Sequence, residues 1–196
     1  NMPGKIYILR HEQRPLDNAT YFVSLTEQGL INSENLIDKI DTLKIDTIYC
    51  SPFLRTIQTI LPYCREFNKK LNMEYSLYEY IDPTVFNSYT FKHTHDELYE
   101  LYKDIPGFLD ESYESFLNVD DLNYKENIRG CFIRTSKFIK HLQMQNNDKN
   151  ILLVSHGTPL AIIKKLVEEH KEYTIEDEKL AIYPYMGELY KLQNEL

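Results

Sequence analysis

The chain has 196 residues, of which 42% are hydrophobic and 27% charged, with a formal net charge of -8. That length and balance fit one domain spanning 1–196 around a single sizeable core, and the acidic surplus gives no general attraction for nucleic acid or an anionic membrane surface. Any anionic ligand has to be held by positive charge gathered locally.

The three cysteines, Cys50, Cys64 and Cys131, are odd in number and show neither short pairing nor metal-ligand spacing, which argues against a disulfide framework or a zinc site. No apolar run approaches the roughly 18 residues of a membrane span, and the first residues lack the basic-then-apolar pattern of a signal segment. A reduced, cytoplasmic setting is the expectation.

In chain order, Lys5 to Arg10 is a short β-branched apolar run that reads as a buried first strand. From Leu25 to Leu43, Leu36, Ile37, Ile40 and Leu43 recur at helical spacing, with Thr26 as the expected N-cap of a crossover helix. Asp46 to Cys50 reads as a second strand, and Ser51-Pro52 then places a cap and a first-turn proline ahead of a helix running to about Lys70. Met73 to Leu77 reads as a third strand. Ile128, Phe132, Thr135, Ile139 and Leu142 mark an amphipathic helix within 123–145, followed by a strand over Asn150 to Val154. Thr158-Pro159 repeats the cap-plus-proline signal directly after Gly157, and Leu180 to Pro184 with Glu188 to Leu192 predict a closing hairpin about Met186-Gly187.

Such alternation predicts an α/β fold, a three-layer αβα sandwich with a mainly parallel sheet and ligands collected at the carboxyl ends of the strands. The aromatic and acidic stretch from Tyr80 to Leu122 breaks the alternation and is expected to form a lid, with short helices near Thr94 to Tyr102 and Ser112 to Phe116. Tyr80, Phe86, Tyr89 and Phe91 there, with Tyr78 just before them, suit an aryl or other apolar group.

Three predicted strands end on residues suited to gripping phosphate: Arg10 and His11; Ser51 with Arg55; and Ser155, His156 and Gly157. A phosphoryl group in transfer spreads negative charge over its equatorial oxygens, so a catalyst needs fixed donors around it and a nucleophile in line. Arg10, Arg14 and Arg55 offer permanently charged planar forks. Helix N-termini behind Ser51 and Gly157 add backbone donors, and an unprotonated imidazole nitrogen is a competent nucleophile. The pair His93 and His95 resembles a metal-binding doublet, but no partner at a recognisable spacing supports it.

The segments ILRHEQRP (8–15), CSPFLRTIQT (50–59) and LLVSHGTPL (152–160) resemble, in order and spacing, the three signatures of the histidine phosphatase superfamily, the phosphoglycerate mutase-like fold. The resemblance implies that His11 is the nucleophile that becomes phosphohistidine. Arg10, Arg14, Arg55, His156 and Gly157 would then bind the phosphate, and Glu79, in the context Leu77-Tyr78-Glu79, would be the proton donor. Glu74, Asp82 and Glu12 are alternative proton sources. His156-Gly157 excludes the branch whose second histidine precedes aspartate. The resemblance implies no cofactor and no metal.

The spacing of His11 and Arg14 looks more like the R-H-x-x-R form of the suppressor-of-T-cell-receptor-signalling (TULA) phosphatase domains than like the glycolytic mutases, which favours hydrolysis. Glu12 departs from the family's usual glycine and is expected to face Arg14, solvent or another donor. The expected partner is a small-molecule phosphate ester or a phosphopeptide, with a homodimer left open. The rival readings are a mutase or sugar bisphosphatase, and an inert module that binds phosphorylated ligands.

Overall fold

The computed structural model describes residues 4–81, 107–123, 125–145, 148–169 and 183–193. Five strands form one sheet: β1 (Ile6–Arg10), β2 (Thr47–Cys50), β3 (Asn72–Met73), β4 (Ile151–Ser155) and β5 (Leu189–Lys191), in the order β3-β2-β4-β1-β5. The first four run parallel, and β5 lies antiparallel on the edge beside β1.

Because successive side chains of a strand point to opposite faces, each central strand feeds two cores. Tyr7, Leu9, Ile48, Cys50, Leu152 and Val154 pack on one face with Ile40, Ile57 and Ile60, whereas Ile6, Ile8, Tyr49, Ile151 and Leu153 pack on the other with Phe138, Leu142, Leu160 and Ile163. On the first face α1 (Glu27–Asn35) packs against α2 (Ile37–Asp41) and α3 (Leu54–Phe67), which cover the sheet; the second face is covered by α4 (Ile128–Met144) and α5 (Gly157–Glu169). This is the expected αβα sandwich. Among the described residues no helix is long and apolar enough to cross a membrane.

Local departures from the predicted elements have local causes. The single crossover helix is split at Leu36, whose N–H bonds to Ser33 O at 3.2 Å, while Ser33 Oγ donates back to Gly29 O at 2.8 Å; such back-bonding competes with a straight helix. Thr26 does cap α1, accepting from Gly29 N. The third strand stops after Met73, because the Glu74 carboxylate accepts from Ser76 N at 2.8 Å and winds Tyr75–Leu77 into a 3-10 turn.

Ser112 to Phe116 form no helix; the amide of Phe116 and the hydroxyl of Tyr113 are drawn to Glu74 Oε1, at 2.7 and 2.6 Å. In the predicted closing hairpin, Met186-Gly187 do turn, but Tyr183 and Pro184 are not strand. Residues 180–182, most of the expected lid (82–106) and His93 and His95 lie outside the described residues.

Candidate active site

Strand register builds the site. Arg10 on β1 lies opposite Ser155 on β4, and His11 N donates to Ser155 O at 3.1 Å, so the chain leaves both strands side by side at His11 and His156. Their rings meet edge to face with centroids 5.3 Å apart. α5 springs directly from His156, whose carbonyl accepts from Leu160 N at 3.0 Å. Thr158 therefore sits inside the first turn and is not its cap.

Ser51 follows β2, tied by its N–H to Val154 O at 2.9 Å. Its hydroxyl does not cap α3, which begins later, at Leu54; Ser51 Oγ lies 2.9 Å from His156 Nε2. The local Ser-Pro signal is the same for both roles, so sequence alone could not separate them.

Arg10 Nη1 donates to Pro184 O at 2.7 Å. A Cβ on residue 157 would come within 3.2 Å of the Arg10 Cζ, so glycine there lets the guanidinium lie over the start of α5. Arg55, fully buried, donates through Nη1 to Thr20 O at 2.9 Å and Ala19 O at 3.2 Å, and its Cζ stands 4.6 Å from the Phe53 ring centre. Arg14 Nη1 donates to Pro15 O at 2.8 Å and Asn18 O at 3.2 Å. Among the described residues, Nε of all three arginines and Nδ1 of His156 are buried without a hydrogen-bond partner, a condition otherwise met only by Ser76 Oγ. Buried polar groups are nearly always paired, so four unpaired nitrogens close together make a lining suited to an anion.

Glu79 stands against this lining. Its Oε2 lies 3.4 Å from Arg55 Nη2 and 3.2 Å from His156 Nδ1, the latter off the line of a hydrogen bond, and Oε1 accepts from Tyr80 N at 2.9 Å. Burial would raise the carboxyl pKa, but His156, Arg55 and His11 outweigh it and hold Glu79 well below the usual carboxylate range. Burial lowers His156 to about 4 against the pull of Glu79, and burial together with His156 and Arg55 lowers His11 well below an ordinary histidine. Arg55 is pulled by burial to about 10, which leaves it charged near neutrality. At neutral pH both imidazoles are thus neutral and Glu79 is a carboxylate.

The tautomer of His11 follows from one contact: Nδ1 lies 2.8 Å from Glu12 O, which can only accept, so Nδ1 carries the proton and Nε2 keeps its lone pair. The Glu12 side chain turns away from this pocket. Its Oε2 accepts from Gln13 N at 3.2 Å and Asn32 Nδ2 at 3.3 Å, and it packs against Gly187. Of the alternative acids, Glu74 is committed to the 110–118 loop and Asp82 lies outside the described residues. Tyr78 packs in the core against Phe53 and Tyr21 and does not line a clamp.

The three cysteines are buried free thiols, and burial pushes Cys64 and Cys131 up to about 12, which leaves them unsuited to nucleophilic work. Among the described residues no three His, Cys, Asp or Glu side chains are grouped to hold a metal ion.

Two histidines just past the carboxyl ends of adjacent parallel strands, with Arg10, Arg14 and Arg55 near them, suit an enzyme that handles phosphate esters. The chain belongs to the histidine phosphatase superfamily, branch 1, whose model matches residues 6–180, and it is a phosphatase of that type. A curated relative in Schizosaccharomyces pombe, named "probable phosphatase", is 24% identical over 185 residues, covering 90% of this chain and 79% of that one. The fold is similar to that of the ecdysone phosphate phosphatase of Bombix mori, with a TM-score of 0.67 and 13% identity over 96% of this chain and 88% of that one. It is also similar to a mycobacterial glucosyl-3-phosphoglycerate phosphatase, with a TM-score of 0.63 and 13% identity over 96% and 89% of the two chains.

Proposed function

We propose that the protein hydrolyses phosphate monoesters through a phosphohistidine on His11, with Glu79 as proton donor. The observation that carries this reading is the pairing of a neutral His11, its Nε2 lone pair fixed by the Nδ1 contact with Glu12 O, with a second imidazole 5.3 Å away inside an arginine lining.

The ester phosphate settles among Arg10, Arg14, Arg55 and His156, with the backbone at Gly157 beneath. His11 Nε2 attacks phosphorus in line, the P–N bond forming as the bond to the leaving oxygen breaks. The ester binds as its monoanion, whose negative charge raises the proton affinity of Glu79; the carboxylate takes the phosphate proton and passes it to that oxygen. In the second half Glu79, again a carboxylate, takes a proton from the water that attacks phosphohistidine and returns it to the departing phosphate, which leaves with His11 and Glu79 restored.

The leaving group is inferred from the rim. Leu16 (88% exposed), Phe22 (39%), Tyr183 (47%) and Tyr185 (69%) lie within two residues of the carbonyls of Pro15, Thr20 and Pro184, which hold the guanidinium groups. Apolar side chains left in water beside a phosphate pocket favour an ester with an aryl or other apolar body.

Rapid quenching of turnover with a labelled aryl phosphate tests the mechanism. Label should map to His11, and His11→Ala should abolish both label and turnover. Label on another residue, or turnover that survives in His11→Ala, overturns the proposal.

A further inference from the structure

Glu79 lies in a run of backbone that sits in no strand, and four successive carbonyls in it, from Ser76 to Glu79, find donors outside the regular ladders. Leu77 O accepts from Ser155 Oγ at 2.7 Å. The other three converge on one guanidinium: Arg134 Nη1 donates to Ser76 O at 2.9 Å and Tyr78 O at 2.7 Å, and Nη2 to Glu79 O at 3.3 Å.

The remaining donors of Arg134 go to Glu126, Nε to Oε2 at 3.1 Å and Nη2 to Oε1. Five oxygens thus saturate the fork, three from the acid-bearing backbone and two from a carboxylate that neutralises it. Arg134 is 7% exposed and Glu126 5%. Burying an ion pair carries a large desolvation cost that attraction only partly repays. Here the pair does what an apolar side chain cannot, which is to fix the path of the chain at the residue whose carboxyl enters the pocket.

We propose that Arg134, itself oriented by Glu126, is a positioning residue for Glu79: it sets how the carboxyl meets the leaving oxygen, and so how well that oxygen is protonated. The inference rests on the reading of Glu79 as proton donor.

The test compares kcat/KM for phenyl phosphate and p-nitrophenyl phosphate, two aryl esters of similar shape whose leaving groups differ in basicity. Nitrophenolate departs with little help, whereas phenolate needs its proton. Glu79→Gln should lose roughly 10²-fold or more with phenyl phosphate and much less with the nitro ester. Arg134→Lys keeps the charge but cannot span three carbonyls; it should show the same skew at roughly tenfold, in line with the sensitivity of catalysis to small misplacements. Glu126→Gln should skew in the same direction, and it carries the test if Arg134→Lys yields no folded protein.

The ratio of the two values within one preparation does not depend on the fraction folded, so a purely structural role leaves it at the wild-type value. Wild-type ratios in Arg134→Lys and Glu126→Gln beside a skewed Glu79→Gln overturn the positioning role alone. A wild-type ratio in Glu79→Gln overturns the proton-donor reading and the positioning role with it.

Discussion

The imidazoles of His11 and His156 stand edge to face at 5.3 Å, close enough for one tetrahedral anion to touch both. Each is buried, and each sits among guanidinium groups that disfavour a further positive charge. His11 is thereby kept unprotonated at pH values where an isolated imidazole would already be charged.

The acid limb of kcat/KM should therefore lie below the ordinary histidine range. Arg55→Met removes one of the charges that lower His11, so the limb should move toward higher pH while the rate falls roughly 10²- to 10³-fold from loss of a phosphate donor. Kinetics from pH 4 to 8 check both; a wild-type limb near 6.5, the ordinary value, counts against the assignment of His11.

Ser51→Ala should leave His156 Nε2 buried without its hydroxyl partner, which costs about 1–3 kcal/mol. The ring also loses what fixes its orientation, so turnover should drop with binding less affected. Thermal unfolding and steady-state kinetics measure the two effects. An unchanged midpoint together with unchanged kcat shows that the contact is incidental.

Glu12 and Gly187 form a second coupled pair. Gly187 has φ 82°, its N–H reaches Arg10 O at 3.1 Å and His11 O at 2.9 Å, and a Cβ there would fall 2.1 Å from Glu12 Oε1. Gly187→Ala should destabilise by about 1–2 kcal/mol from the positive φ alone, and further from the clash. Glu12→Gly should relieve the second part, so the double variant should be less damaged than the sum of the singles. Strict additivity in denaturant titrations would show that the two side chains do not meet.

Stability should fall on mild acidification. The folded His156 titrates at about 4 against an ordinary 6.5, and His11 is lowered as well, so between those values the unfolded chain binds the more protons and stability rises with pH. The contribution is fully present above about 6.5 and lost as pH falls toward about 4. Glu79, also lowered, adds a loss of the same sign below the ordinary carboxylate range. His156→Asn should flatten the dependence in melts at pH 7 and 4.5, and an unflattened profile removes His156 from the account.

The parts of the site that were legible in the sequence are those carried by contiguous residues. Arg10-His11 and Ser155-His156-Gly157 each follow a run of apolar residues too short for a helix, and the parallel pairing of those two strands places the ends together. What was hidden depends on contacts between distant positions. Ser51 carried a cap signal but spends its hydroxyl on His156, 105 residues away. Glu74 reads as an alternative proton source, yet it gathers amides from a loop some 40 positions on. Arg134 fell in an ordinary amphipathic pattern, and nothing local marks a guanidinium destined for carbonyls 55 to 58 positions earlier.

The pairing of β1 with β4 also bears on when activity can arise. The two strands, Ile6–Arg10 and Ile151–Ser155, lie far apart along the chain. His11 faces no companion ring until the later strand has zipped alongside, a closure of long sequence separation and hence slow. On the proposed role of His11, hydrolysis of a reporter ester becomes a clock for the final assembly of the sheet, silent in every earlier folding species.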